Sequence, residues 1–160
     1  MALEEGDVAP DFTLPTDGGD SISLSALKGK PVVLYFYPKD DTPGCTKEAC
    51  GFRDAQADFS GVGATVIGVS KDSVAKHDKF KAKYELNFPL AADEDGTVCE
   101  AYGTWVEKSM YGRKYMGIER STFLIDENGT IAKIWRKVKV TGHVEEVKKA
   151  LDELAQKSAA

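Results

Sequence analysis

The feature that most constrains the fold is an uninterrupted apolar run, Val32–Tyr37, which Pro38 ends. Its residues favour β-structure and do not alternate with polar ones, which is typical of a central strand buried on both faces. A second apolar run of the same character is Thr65–Val69. The apolar residues that recur at helical spacing between the two runs are Ala49, Phe52 and Phe59. This order predicts two buried strands joined by a crossover helix.

The rest of the chain predicts two β-hairpins and two further helices. An N-terminal hairpin is indicated by Asp11–Leu14 and Ser21–Leu24 around a glycine-rich turn. A late hairpin is indicated by Thr122–Ile125 and Ile131–Trp135, joined through Asp126–Gly129. The helices are marked by apolar residues three or four positions apart: Val74, His77, Phe80 and Tyr84, with Asp72 or Ser73 as N-cap, and then Val144, Val147, Leu151 and Leu154. With a short mixed segment before the late hairpin, the pattern predicts an α/β three-layer fold: a central mixed β-sheet flanked by helices, with an N-terminal β-hairpin.

Length and composition favour one domain over residues 1–160. A chain of 160 residues with 42% apolar content can build a core without a metal or a disulfide framework. The formal charge of −5, with no basic block, argues against a nucleic acid or an anionic membrane as partner. The longest apolar run is far below the ~20 residues of a membrane span, and the chain begins with acidic residues where a secretory signal would be basic. Three cysteines, an odd number, also fit poorly with structural disulfides. We therefore expect a soluble, unexported, cytoplasmic protein.

Directly after the first buried strand comes a segment that combines helix-start signals with a cysteine. Thr42 suits an N-cap and Pro43 suits the first helical position, so Cys45 falls in the first helical turn. A thiol there faces free backbone N–H groups and the positive end of the helix dipole, and both favour thiolate over thiol. The segment predicts a nucleophilic cysteine. The alternative is that Cys45 is a small apolar residue packed under the loop.

A second cysteine, Cys50, follows five residues later. In an ideal helix these positions are about 140° apart around the axis and their Cα atoms are roughly 8.7 Å apart. Bridged cysteines need Cα atoms within about 7 Å of each other, so a bond between Cys45 and Cys50 would require the start of the helix to unwind. The alternative is that Cys50 is a core residue on the same side as Ala49.

The remaining thiol and both histidines are expected to be structural. Cys99 has no redox or ligand spacing to the other cysteines and is expected to be packed in the core, with a resolving role as the alternative. His77 lies on the apolar stripe of its helix and His143 at the start of the last helix. The spacings match no common zinc pattern, so no metal site is predicted.

Three longer motifs resemble one family. They are Gly6–Leu14; Tyr35–Pro38 leading into the Pro-x-x-x-Thr-x-x-Cys element; and Gly117–Asp126. Together they are similar to the peroxiredoxins, specifically the bacterioferritin comigratory protein or peroxiredoxin Q subgroup, over nearly the whole chain. The resemblance implies a thioredoxin-like fold and a thiol-dependent peroxidase that uses no bound cofactor. It also implies that Cys45 attacks hydrogen peroxide or an organic hydroperoxide and becomes a sulfenic acid. Cys50 would then form an intramolecular disulfide, which a thioredoxin or glutaredoxin system reduces.

The resemblance also assigns the residues around the nucleophile. Displacement at a peroxide oxygen builds negative charge on the leaving oxygen, so the site needs fixed donors. Thr42, Arg120 and the backbone amides of Gly44 and Cys45 would supply them, with Arg120 reaching over from a distant strand, and Pro38 would close the pocket. Taken alone, each has a plainer interpretation: Thr42 as a helix cap, Arg120 as a solvated strand-end arginine, and Pro38 as a strand terminator.

Two other functions share part of this pattern. A thioredoxin-type disulfide oxidoreductase needs Cys-x-x-Cys, and the residue three positions after Cys45 is Glu48. A peroxide-sensing redox switch would use the same two cysteines and differs in reacting once instead of turning over. Because the pairing of Cys45 with Cys50 needs no second subunit, a monomer is the simplest expectation.

Overall fold

The computed structural model describes residues 3–159, which form nine strands and five α-helices with two short 3₁₀ turns. The strands are β1 Thr13–Pro15, β2 Ser21–Ser23, β3 Val32–Phe36, β4 Thr65–Ser70, β5 Leu90–Ala92, β6 Trp105–Met110, β7 Arg113–Ile118, β8 Ser121–Ile125 and β9 Ile131–Trp135. The helices are α1 Pro43–Asp54, α2 Gln56–Gly61, α3 Val74–Tyr84, α4 Thr97–Ala101 and α5 His143–Ala159. None of the helices within the described residues is long and apolar enough to cross a membrane.

Five strands form one mixed sheet in the order β5-β4-β3-β8-β9. Strand β3 pairs in parallel with β4 and antiparallel with β8, so that Tyr35 lies opposite Gly68 on one side and Thr122 on the other. Strand β5 is parallel to β4, and β9 is antiparallel to β8. Every residue of β3 is buried, as its unbroken apolar sequence predicted. The predicted central mixed sheet is confirmed.

Each face of this sheet supports its own apolar core. Because successive side chains of a strand point to opposite faces, Val33 and Tyr35 of β3 face one cluster while Leu34 and Phe36 face the other. The first cluster is completed by side chains of four helices: Phe52 of α1, Phe59 of α2, Phe80 of α3, and Val147 and Leu151 of α5. The second is covered by Phe12 and Leu14 from the N-terminal region and by Val98 and Cys99 of α4. The three-layer α/β prediction is confirmed.

Most predicted elements are observed, with small shifts at their ends. The N-terminal hairpin is β1 with β2, and the late hairpin is β8 with β9. Helix α3 uses Ser73 as its N-cap, the hydroxyl of which accepts a hydrogen bond from the Lys76 amide at 3.2 Å. The first crossover helix is divided at Ala55, whose ψ of 1° leaves the helical range, and the separate α2 then contacts both β4 and α5.

The short mixed segment before the late hairpin contains a ribbon that the sequence did not reveal. Strands β6 and β7 pair with each other in a separate two-stranded sheet and lie outside the main sheet. They are joined through Tyr111 and Gly112, which both have positive φ, of 52° and 79°. A tight hairpin turn of this kind usually carries Asn or Asp before the glycine, and a tyrosine there conceals the signal. The end of β7 leads directly to Arg120.

Candidate active site

The strand-to-helix junction has the predicted form. Strand β3 ends at Phe36, residues 37–42 turn, and α1 begins at Pro43, so Cys45 is the third residue of the helix. The first intrahelical hydrogen bond runs from the Thr46 amide to the Thr42 carbonyl at 2.8 Å. In an α-helix the amides before this one have no intrahelical acceptor. Those of Gly44 and Cys45 therefore have no acceptor within the helix.

The prediction that the Thr42 hydroxyl caps the helix is wrong. Thr42 occupies the N-cap position with extended backbone, φ −103° and ψ 155°, but its side chain makes no capping hydrogen bond. Its hydroxyl instead donates to the carbonyl of Lys39 at 2.9 Å. With its hydrogen engaged there, the Thr42 oxygen presents lone pairs, which can accept a hydrogen bond from a peroxide O–H.

Arg120 lies against Cys45 although it is 75 residues away in sequence. The Arg120 Nη2 group donates to the Cys45 Sγ atom at 3.4 Å, and the Nη1 group donates to Glu48 Oε1 at 2.7 Å. The prediction that Arg120 lies in a strand is wrong, because it lies in the two-residue connection between β7 and β8. The planar guanidinium reaches both partners because its N–H groups form a rigid fork.

Gly44 leaves room for this contact. A Cβ atom built on Gly44 would lie 3.1 Å from Arg120 Nη2, closer than most such contacts. Gly44 therefore has two properties useful at this site: a free amide and the absence of a side chain under the guanidinium. Cys45 itself is 2% exposed, so its sulfur is largely shielded from water.

Glu48 is the site residue that the sequence did not identify as such. Its side chain is fully buried, three positions after Cys45 on the same side of α1. Burial raises the pKa of Glu48 from 4.5 to about 7, against the opposing effect of the Arg120 charge. Burial lowers the pKa of Arg120, but Glu48 and Cys45 outweigh it and raise that pKa overall. The signal available in the sequence was the spacing of an acidic residue one helical turn from the nucleophile.

Comparison with known proteins shows the family to which the chain belongs. The AhpC/TSA family matches residues 6–134. Peroxiredoxin Bcp of Bacillus subtilis is 52% identical over 157 residues, which cover 98% of this chain and 100% of the relative. Peroxiredoxin Bcp of Escherichia coli is 45% identical over 141 residues, 88% of this chain and 90% of the relative. The chain belongs to the AhpC/TSA family, in its Bcp or peroxiredoxin Q group.

The solved structures agree with this assignment. The structure of the Xanthomonas campestris bacterioferritin comigratory protein is similar with a TM-score of 0.89 at 45% identity, covering 96% of this chain and 98% of the other. A cysteine-to-serine mutant of Xylella fastidiosa PrxQ gives a TM-score of 0.91 at 42% identity and covers 96% of this chain and 98% of the other. The thioredoxin-like fold is confirmed, and this peroxiredoxin is a thiol-dependent peroxidase.

Cys50 of the peroxiredoxin is half-buried and shares α1 with Cys45. Both cysteines are free, and the helix between them is continuous, so they cannot bond without unwinding. The C-terminal part of α1 is firmly held: Phe52 is fully buried, and Arg53 Nη1 donates to the Tyr84 carbonyl at 2.7 Å. Unwinding would therefore begin at the N-terminal turn, where Pro43 is exposed.

Pro38 is exposed, whereas Cys99 is buried away from the nucleophile. Pro38 follows β3 with an exposed side chain, so its role in closing the pocket stays a prediction. Cys99 is fully buried in the cluster on the opposite face of the sheet from Cys45, and its predicted packing role is confirmed. Burial and a hydrogen bond to Asp93 raise the pKa of Cys99, which favours the protonated form of this thiol.

Both histidines are buried and hydrogen-bonded. His143 Nε2 lies 2.7 Å from the Thr122 hydroxyl, and burial together with the Arg120 charge lowers the pKa of His143 to about 4. His77 contacts Asp40 and the Ala91 carbonyl. Among residues 3–159, no group of three or more His, Cys, Asp or Glu side chains is arranged to hold a metal ion.

Proposed function

We propose that Cys45 is the residue of this peroxidase that reacts with the peroxide. The observation that carries the proposal is the contact of Arg120 Nη2 with Cys45 Sγ at 3.4 Å, which places a permanent positive charge on a shielded thiol. The N-terminal turn of α1 adds its free amides to the same side. Both groups stabilise the thiolate, which is the nucleophilic form.

The reaction is a displacement at oxygen. The thiolate of Cys45 attacks one oxygen of ROOH, an S–O bond forms and the O–O bond breaks. The sulfur is oxidised by two electrons to a sulfenic acid, and the leaving alkoxide or hydroxide takes up a proton to become an alcohol or water. The Arg120 guanidinium and the amides of Gly44 and Cys45 would stabilise the charge that develops on the oxygens. The Thr42 hydroxyl would accept a hydrogen bond from the peroxide, and Pro38 would limit the access of water.

Cys50 is proposed as the resolving cysteine. Its thiolate attacks the sulfenic sulfur of Cys45, hydroxide leaves and is protonated to water, and a disulfide forms. The Arg120 contact favours the thiolate form of Cys45, so oxidation to the neutral sulfenic acid weakens one of the interactions that hold the first turn of α1. Loss of that turn allows the Cα atoms to approach within about 7 Å. We propose that a thioredoxin or glutaredoxin system then reduces the disulfide.

The substrates are proposed to include organic hydroperoxides as well as hydrogen peroxide. The study of the Xanthomonas campestris bacterioferritin comigratory protein concerns its alkyl peroxide reduction activity. We further propose a cytoplasmic monomer with residues 1–160 as one domain. Three free cysteines suit a reducing compartment, and two thiols on one helix can pair without a second copy of the chain.

One mass-spectrometric experiment tests both cysteine assignments. The reduced protein is treated with one equivalent of hydrogen peroxide, remaining thiols are alkylated, and the peptides are mapped. We expect a Cys45–Cys50 link with Cys99 alkylated. The Cys50→Ser variant should accumulate sulfenic acid at Cys45, whereas the Cys99→Ser control should behave as the wild type.

Two outcomes would contradict the proposal. If all three thiols remained alkylatable, Cys45 would not be the peroxide-reactive residue. If Cys50→Ser still formed an intramolecular disulfide that disappeared only when Cys99 was also replaced, the resolving residue would be Cys99. Repeated turnover with a thioredoxin or glutaredoxin system and NADPH tests the reductant and separates a peroxidase from a single-use redox switch.

A further inference from the structure

Helix α3 makes hydrogen bonds to the turn that precedes α1, residues 37–42. Within this turn Asp40 is only 8% exposed, which is unusual for a carboxylate. The Asp40 side chain accepts a hydrogen bond from the Tyr37 hydroxyl at 2.5 Å and lies 2.6 Å from His77 Nδ1. The Asp40 amide donates to Asp72 Oδ2 at 2.8 Å. The middle of the turn is thus hydrogen-bonded to the residue that follows β3, to α3 and to the segment between β4 and α3.

His77 supplies the central tie. It is fully buried in α3, and its second ring nitrogen, Nε2, lies 3.0 Å from the Ala91 carbonyl of β5. A carbonyl oxygen only accepts hydrogen bonds, so Nε2 is the donor in this contact. His77 therefore connects the turn to the edge of the main sheet, with both ring nitrogens engaged. This is more than packing on an apolar stripe requires.

Two further hydrogen bonds from α3 support the next residue of the turn, Asp41. Asp41 has a φ of 57°, a backbone conformation that few non-glycine residues adopt and that needs support from its surroundings. Its carboxylate accepts hydrogen bonds from Lys83 Nζ at 2.8 Å and from the Tyr84 hydroxyl at 2.7 Å. Both donors belong to the last turn of α3. The same helix therefore supports two consecutive residues of the turn, from His77 and from its C-terminal end.

These contacts bear on the peroxide site through two short connections. The Lys39 carbonyl, which immediately precedes Asp40, accepts the hydrogen bond that orients the Thr42 hydroxyl. Asp41 is followed by Thr42 at the N-cap and then by the first turn of α1, which carries Cys45. A displacement of the turn would therefore move the hydroxyl and the helix amides together, relative to Arg120, which is held separately between β7 and β8.

We propose that His77 is a positioning residue for the peroxide reaction, acting through Asp40 on the turn that carries Thr42 and the start of α1. It touches neither the peroxide nor Cys45. Donors that must match the developing charge in a transition state lose efficiency steeply when they are displaced: a shift of about 1 Å can lower a rate by about 100-fold. The inference rests on the proposed role of Cys45.

The test uses two substitutions of His77 that distinguish the hydrogen bond made by Nδ1 from the one made by Nε2. His77→Asn places an amide nitrogen near the position of Nδ1 and can keep the bond to Asp40, whereas His77→Gln places one near Nε2 and can keep only the bond to Ala91. Each variant loses the ring and one hydrogen bond, so a purely structural role predicts similar losses of stability and of rate. Tyr102→Phe is the matched control, because it removes a partly buried hydrogen bond of 2.6 Å to the Pro10 carbonyl, away from the Cys45 cluster.

The readout is the rate constant for oxidation of Cys45 by hydrogen peroxide in a single turnover, together with the denaturation midpoint of each variant. We expect His77→Gln to react at least tenfold more slowly than wild type and at least fivefold more slowly than His77→Asn. Alkylation of Cys45 by iodoacetamide, which needs the thiolate but not the Thr42 hydroxyl, should change less than the peroxide rate constant does. The Tyr102→Phe control should keep the wild-type rate.

Equal rates for the two His77 variants, or a His77→Gln rate within twofold of wild type, would overturn the proposal. If His77→Gln does not fold, the double variant Lys83→Met with Tyr84→Phe tests the same mechanism from the partly exposed end of α3. A fall of three- to tenfold is then expected, and an unchanged rate would refute it. Mapping of the oxidised residue in the wild-type protein checks the role of Cys45 separately: oxidation elsewhere would refute that assignment regardless of how the variants behave.

Discussion

Replacement of Glu48 by Gln should make the stability of the protein less dependent on pH. Glu48 is buried beside Arg120, and burial raises its pKa from 4.5 to about 7 despite that positive charge. Above pH 4.5 the unfolded chain releases this proton, while the folded protein keeps it until about pH 7. Unfolding therefore becomes easier as the pH rises through this window, and the loss is complete above pH 7.

The magnitude follows from the two pKa values. Relative to a permanently neutral side chain, ionisation of Glu48 lowers the free energy of unfolding by about 1 kcal/mol at pH 5 and by about 3 kcal/mol at pH 8. Gln resembles the protonated acid, because its carbonyl oxygen can still accept the hydrogen bond from Arg120 Nη1. The stability of Glu48→Gln minus that of wild type should thus increase by about 2 kcal/mol between pH 5 and pH 8.

The assay is urea unfolding of the reduced proteins, followed by circular dichroism at several pH values between 5 and 8. Taking the difference between the two proteins cancels every other group that titrates in this range. Glu153→Gln, which alters an exposed glutamate of α5, is the matched control and should give a difference that does not change with pH. A constant difference for Glu48→Gln would refute the reasoning. A difference that fell with rising pH would show that the attraction of Arg120 outweighs the cost of burial.

Two further substitutions test the geometry around the sulfur, and a third tests a buried hydroxyl group. Arg120→Lys should lower the peroxide rate constant by about 100-fold, because one ammonium cannot reproduce the fork that contacts both Cys45 and Glu48; a fall of less than threefold in stopped-flow measurements would contradict this. Gly44→Ala should lower the same rate constant roughly tenfold, because the new Cβ atom crowds the Arg120 guanidinium. The denaturation midpoint should hold or rise, because Ala favours a helix over Gly by about 1 kcal/mol. An unchanged rate constant would show that the arginine moves aside freely. Tyr35→Phe should stabilise the protein by about 1 kcal/mol in urea unfolding, since the Tyr35 hydroxyl is buried without a hydrogen-bond partner in the described part of the chain; a loss of stability would indicate a partner, such as a buried water.

Local sequence was sufficient wherever one short segment decides the structure. The unbroken apolar run of β3 predicted a strand buried on both faces, and Thr42-Pro43 predicted where α1 begins. Both predictions depend on periodicity and on the backbone properties of single residues. These signals need only residues that are neighbours in the sequence. The β6–β7 ribbon was missed for a related reason, because Tyr111 replaces the usual residue of its turn and its strands are largely exposed.

The amino-acid sequence alone was enough to predict β3, β4 and the two hairpins with the helices between and after them, the position of Cys45 in the first turn of a helix and the five-residue separation from Cys50. Those properties are local, since a helix start and its periodicity need no information from distant segments. The charges that surround the sulfur depend on the folded chain, which brings Arg120 to Cys45, buries Glu48 beside them and links the preceding turn to His77. Burial, and the pKa changes that it causes, depend on what the rest of the chain excludes from water, which no short segment can specify.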